Sequence, residues 1–81
     1  RVNAVAPGVM LTEGASTNLE FAGAEAQERI RRAIPLRRFA DLDEIAGGVA
    51  YLCSGDAGYI NGECLVMDGG AWLGRPLFPA R

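Results

Sequence analysis

The apolar and polar positions of this chain predict strand, helix, helix and strand, in that order. Residues 2–6 form a short apolar run, broken only by Asn3, and Pro7-Gly8 closes it. Such a run reads as a strand buried in a parallel sheet. Pro7 cannot donate a ladder hydrogen bond, so the strand is expected to stop there. Residues 8–16 read as a loop. Helical character follows over 17–33, with Ser16 or Thr17 as a cap and an interruption at Gly23. Ala26, Ile30, Ala33 and Ile34 recur at helical spacing, and Glu25–Arg29 and Glu28–Arg32 are i,i+4 pairs in the favourable order. Pro35 disfavours the helical conformation at Ile34 and ends the segment. Asp41 to Glu44 has the form of a capping box opening a helix over 41–53. That helix sets Ile45, Val49, Leu52 and Cys53 on one face. Gly47-Gly48 weakens it by about 1 kcal/mol per residue relative to Ala but permits close packing on a sheet. Ser54-Gly55 is a stop signal. Residues 63–68 form the second strand, and Asp68-Gly69-Gly70 ends it.

Strands alternating with helices imply an α/β architecture: two parallel strands joined by a long crossover on one sheet face. Two strands do not make a stable open sheet. The chain has 81 residues and opens within a strand pattern. A chain of this length buries only about 60–65% of its unfolded surface. It therefore reads as part of something larger, with apolar faces expected to pack on a missing partner.

The formal net charge of −2 offers no footprint for nucleic acid or an anionic membrane. All eight basic residues are Arg, and His is absent. The longest uncharged helical run, Ile45 to Gly55, is much shorter than the roughly 20 apolar residues a bilayer requires. Arg1 is not followed by the apolar run of a signal peptide. Cys53 and Cys64 are too few for a disulfide scaffold or structural zinc, so buried free thiols and a reducing cytoplasm are expected.

The candidate site lies at the end of the first strand. Gly8 has no Cβ, so backbone there can approach a flat ligand. Thr12 adds a hydroxyl to the exiting loop. Ligands of open α/β sheets bind where strand ends open into such loops. An ordinary strand exit has the same pattern. Asn3 reads as a side chain that ties down the strand end rather than a ligand contact.

Arg1-Val2-Asn3 with Pro7-Gly8 and Thr12 resembles the cofactor-side segment of the short-chain dehydrogenase/reductase family. Pro35-Leu36, Arg38-Phe39 and Asp43-Glu44-Ile45-Ala46 resemble its next landmark, and Tyr59-Ile60-Asn61-Gly62 with Val66-Met67-Asp68-Gly69-Gly70 its terminal strand. The resemblance covers most of residues 1–74. It implies the C-terminal part of a doubly wound Rossmann-type sheet, with NAD or NADP as cofactor. It also implies hydride transfer between nicotinamide and a carbonyl, alcohol or enoyl substrate. On it, Pro7 and Gly8 set the backbone beside the nicotinamide. Met10 stands where the family usually has Ile or Val, and its backbone N–H and C=O meet the carboxamide. Thr12 contacts the carboxamide or pyrophosphate. Residues 13–34 correspond to the substrate lid. Thr12-Glu13-Gly14 resembles the matching segment of peroxisomal-type 2,4-dienoyl-CoA reductases, three residues that leave the substrate open. The apolar tail over 69–81, with Trp72, Leu73, Leu77 and Phe78, reads as a frayed terminus or as an interface, and the resemblance implies the subunit contacts of a homo-oligomer there.

The family's proton chemistry rests on a Ser and on a Tyr with Lys four residues later. The chain has no Lys; Gly55 follows Tyr51 at that spacing, and Glu63 follows Tyr59. No glycine-rich turn opens a helix. No catalytic residue is therefore assigned, and no metal is expected. The parent reads as an enzyme, whereas this segment alone is expected to be inactive. The alternative is a non-catalytic remnant or interaction module, which upstream sequence with or without those motifs would separate from the enzyme.

Overall fold

The computed structural model describes residues 1–10 and 13–73, with side chains omitted over 13–22. Its elements are β1 (Ala4–Pro7), α1 (Glu13–Ala33), α2 (Leu42–Cys53), a 3-10 turn over Gly55–Ala57, and β2 (Cys64–Met67). β1 and β2 pair in parallel, Ala4 opposite Cys64 and Pro7 opposite Met67. The ladder continues at both ends: Ala4 N–H donates to Glu63 O at 2.8 Å and Gly8 N–H to Met67 O at 2.9 Å. In a parallel ladder alternate residues face the partner strand. Ala4 and Gly8 donate toward β2, so the donor-less nitrogen of Pro7 faces the other edge. Pro7 thus costs no bond to β2 and is itself the last paired position, so the strand runs over Ala4–Pro7 rather than residues 2–6, and the ladder carries on past Pro7 to Gly8.

Asn3 ties the two strand entrances together. Its Nδ2 donates to Ile60 O at 3.1 Å, and its Oδ1 accepts from Glu63 N–H at 2.9 Å. Both ends of the amide are used, as expected of a strand-end tether. Arg1 reaches across the same end and donates to Leu52 O, Ile60 O and Ser54 O. These include carbonyls at the end of α2, where a helix leaves acceptors unmatched.

α2 opens with Asp41 in extended conformation as its N-cap. Glu44 folds back to accept the Asp41 N–H at 3.0 Å, the reach-back half of the capping box. Ser54 closes the helix, its hydroxyl donating to Tyr51 O. Of the glycine pair, Gly48 makes the close approach: a Cβ there would overlap the Met67 thioether. A Cβ at Gly47 would meet nothing, so only one of the two glycines is explained by packing.

Several expectations need correction. α1 begins at Glu13, so the loop after β1 is shorter than residues 8–16. Gly23 interrupts α1 with φ 85° and ψ 171°, a conformation essentially reserved for glycine. Glu28 pairs with Arg32 at 3.5 Å and also with Arg31 at 3.2 Å, whereas Glu25 and Arg29 do not form a salt bridge. Cys53 and Cys64 are free but exposed rather than buried. Val49, Leu52 and Cys53 do share a groove facing β1 with Val2 and Val5, yet only Leu52 is buried. The reason is that a two-stranded sheet leaves that groove open. The buried apolar residues among those described are Ile34, Leu52 and Ala57, while Tyr59, Leu36, Trp72 and Leu73 stay largely exposed. No described helix is long and apolar enough to cross a membrane, and no metal-holding cluster occurs among the described residues.

Candidate functional site

The C-terminal ends of β1 and β2 converge on the segment between α1 and α2. Leu36 N–H donates to Gly69 O at 3.2 Å, and Ala40 N–H donates to Val9 O at 3.0 Å. The second bond belongs to an isolated parallel bridge between Met10 and Ala40. Because Val9 supplies the carbonyl, the peptide groups of Met10 itself turn away from Ala40. Neither its N–H nor its C=O bonds to a described residue. One residue thus offers an adjacent donor and acceptor beyond the end of a parallel strand.

Gly8 has a different reason for being glycine than ligand approach alone. A Cβ built there would lie 2.7 Å from Asp68 Cα and 2.8 Å from Asp68 Cβ. Asp68 fills the place that a side chain would need. Its carboxylate then accepts Gly70 N–H and Trp72 N–H, both at 3.0 Å. Gly69 and Gly70 take φ of 65° and 87°, which an L side chain rarely adopts. Sequence reading placed Gly8 and the Asp68-Gly69-Gly70 turn separately; the fold stacks one on the other.

The same corner carries the ion pair with the shortest contact among the described residues. Arg38 grips Glu44 with two parallel hydrogen bonds of 2.7 and 2.8 Å. This fork-on-fork geometry is the strong form of a charged contact. The guanidinium and the Asp41 N–H together hold the Glu44 carboxyl down at about 2, against an ordinary 4.5. The carboxylate in turn raises the Arg38 pKa. Arg38 also donates to Phe39 O at 3.2 Å. Arg31 of α1 lies over the Phe39 ring, 5.4 Å from its centroid. The sequence marked Glu44 as a cap residue; an Arg six positions before it was the available signal for the pair.

A cavity of about 300 Å³ opens beneath this corner, lined by Gly8, Val9, Ile34, Arg38, Glu44 and Asp68 among others. Pro7 and Gly8 line a neighbouring depression with Ala71 and Trp72. Of the four residues expected to meet the cofactor, Pro7, Gly8 and Met10 therefore lie in succession on one strand exit. Thr12 lies outside the described residues, as do Leu77 and Phe78 of the tail.

Comparison with known proteins agrees with this architecture. The family model described as Enoyl-(Acyl carrier protein) reductase matches residues 1–71. A Bacillus subtilis protein named "Probable 2,4-dienoyl-CoA reductase [(2E)-enoyl-CoA-producing]" is 44% identical over 73 residues, covering 90% of this chain and 28% of its own length. A crystal structure of a short chain dehydrogenase from Bacillus anthracis aligns at a TM-score of 0.75 with 43% identity, covering 98% of this chain and 28% of that one. The structure titled 4-hydroxyisoleucine dehydrogenase complexed with NADH aligns at 0.81 with 32% identity, covering 93% of this chain and 30% of that one. The chain belongs to the short-chain dehydrogenase/reductase family, and its two parallel strands and helices are part of that family's Rossmann-type fold. It spans a little over a quarter of the length of these relatives.

Proposed function

We propose that this chain is the nicotinamide-side part of an NAD(P)-dependent oxidoreductase that acts on a small-molecule carbonyl, alcohol or enoyl compound. The observation that carries this reading is Met10 at the exit of a parallel strand, with an N–H and a C=O that bond to no described residue. A carboxamide has two donors and an acceptor, so the N–H and C=O of one residue can meet both of its ends and fix the ring's orientation. The relative bound to NADH adds support for the cofactor class. When bound, nicotinamide would supply hydride chemistry. The chain's own part is to hold the carboxamide with Met10 backbone and Thr12 hydroxyl, and to bring Pro7 and Gly8 alongside. Residues 13–34 serve as substrate lid, and Trp72 and Leu73, exposed here, belong to a contact surface between subunits. Proton transfer requires residues that this chain lacks, so the chain alone is inactive and the whole protein works in the cytoplasm as an oligomer.

The test is nicotinamide affinity in the whole protein. Thr12→Val keeps the shape but removes the hydroxyl, and an unpaired polar partner costs about 1–3 kcal/mol. Cofactor binding is expected to weaken accordingly, while Thr12→Ser and Met10→Ile bind as wild type. Equal dissociation constants for wild type and Thr12→Val would remove Thr12 from the site. A large loss for Met10→Ile with the fold intact would replace the backbone contact with a side-chain one.

A further inference from the structure

We infer that the Arg38–Glu44 ion pair is a positioning device for the nicotinamide-binding backbone, acting through Ala40 on Val9 and Met10. The inference rests on the reading of Met10 given above. Glu44 is anchored in the first turn of α2, where it also accepts the Asp41 N–H. α2 is seated on β2 through the close approach of Gly48 to Met67. Glu44 is therefore a fixed post. Arg38 is clamped to it through both guanidinium arms and holds the Phe39 carbonyl as well. The residue between this clamp and the Asp41 cap is Ala40, and Ala40 carries the bridge to Met10 and the bond to Val9. The other contacts of this stretch lie on its neighbours and not on Ala40: Leu36 N–H and Arg37 N–H donate to Gly69 O and Ile34 O, the Arg37 guanidinium donates to Arg32 O, and Phe39 rests under Arg31.

The surroundings of the pair favour a local rather than a global role. Both side chains are about half exposed, 52% for Arg38 and 44% for Glu44. Exposed ion pairs contribute little to overall stability. A bidentate pair does restrict orientation, because the planar fork fits a carboxylate in one way. The structural consequence of losing it is thus loosening of residues 38–41 and of the strand exit paired to them, with the rest of the fold retained. That loosening lowers the fraction of molecules in which Met10 presents its donor and acceptor correctly, and apparent affinity falls with that fraction.

The experiment uses the whole protein and two ligands. One is the nicotinamide cofactor it prefers. The other is the corresponding ADP-ribose, with or without the 2′-phosphate, which lacks the nicotinamide. Arg38→Met keeps the aliphatic stem, and Glu44→Gln keeps an acceptor for the Asp41 N–H. Each is expected to weaken cofactor binding, and raise cofactor KM, about five-fold, the upper range for an exposed pair. ADP-ribose binding should not change. The double variant should lose no more than either single one, because one interaction is removed in all three. Unchanged cofactor affinity in both variants overturns the inference. So does an equal loss for ADP-ribose, which would mean general damage to the site. Failure of the wild-type protein to bind any nicotinamide cofactor would instead overturn the proposed function, and this inference with it.

Discussion

The strand exit and helix α1 carry opposite kinds of order. At the exit, backbone bonds join Gly8 to Met67, Val9 to Ala40 and Leu36 to Gly69 across three segments, and Gly8 leaves no space beside Asp68. α1, by contrast, packs against no other named element among the described residues. Its tethers among the described residues lie at its C-terminal end, where Arg31 covers Phe39 and Ile34 is buried. The first region is specified by contacts within the chain. The second is specified by its own helical periodicity and by Gly23. Regions of the second kind supply the low-stability elements from which lids are drawn.

Two glycines test this difference most directly. Gly8→Ala would put a methyl group within 2.8 Å of Asp68 backbone and side chain, where neither neighbour is a flexible tip. Overpacking of this kind costs about 1–3 kcal/mol. The strand exit must shift as well, so the whole protein should lose both stability and cofactor affinity. Urea denaturation and a cofactor titration check the two together. Wild-type values in both would show that the ladder gives way more easily than its bonds suggest.

Gly23→Ala addresses the other region. A Cβ there meets nothing within 4 Å, so the cost is conformational, from φ 85°. Because α1 packs against no other named element among the described residues, the chain can relieve that cost by closing the kink into a continuous helix. The whole protein should then gain helical signal in circular dichroism and keep its cofactor affinity. Substrate KM should change by roughly a few-fold, as expected of a lid. Lost cofactor affinity in Gly23→Ala would erase the contrast between the regions.

The same contrast explains what could be read before any coordinates. The order of strands and helices and the Asp41 cap follow from local pattern, because short-range chemistry sets them; Asn3 read as a tether, but its partners Ile60 and Glu63 lie far along the chain. Pro7 read as a strand stop because it cannot donate, yet it pairs with Met67 with its nitrogen turned to the other edge. What escaped were relations between distant residues: Gly8 against Asp68, Gly48 rather than Gly47 against Met67, Arg1 on the α2 carbonyls. No periodicity records those. Cys53 and Cys64 were expected inside because their neighbours are apolar, but burial depends on what covers an element. The site was legible as a strand exit; that the N–H and C=O of Met10 bond to no described residue came from the bridge to Ala40 and the backbone bonds around it.

The smallest effect expected is an acid-dependent one at the Arg38–Glu44 pair. Glu44 is held at about 2 in the folded chain, below its ordinary 4.5. A carboxyl whose folded pKa is depressed stabilises the fold above its unfolded pKa. That contribution fades as pH falls from about 4.5 toward 2 and is absent below both values. Wild type and Glu44→Gln should therefore differ by a small, constant amount from pH 7 to 5, and the difference should shrink between 4.5 and 2. Both side chains are half exposed, so added salt should shrink it too. Urea midpoints of the whole protein across that pH series, at low and high salt, read the effect. A difference that persists undiminished at the acid end would mean that Glu44 acts through its shape in the α2 cap and not through its charge. The role of Arg38 at the strand exit would then need another partner.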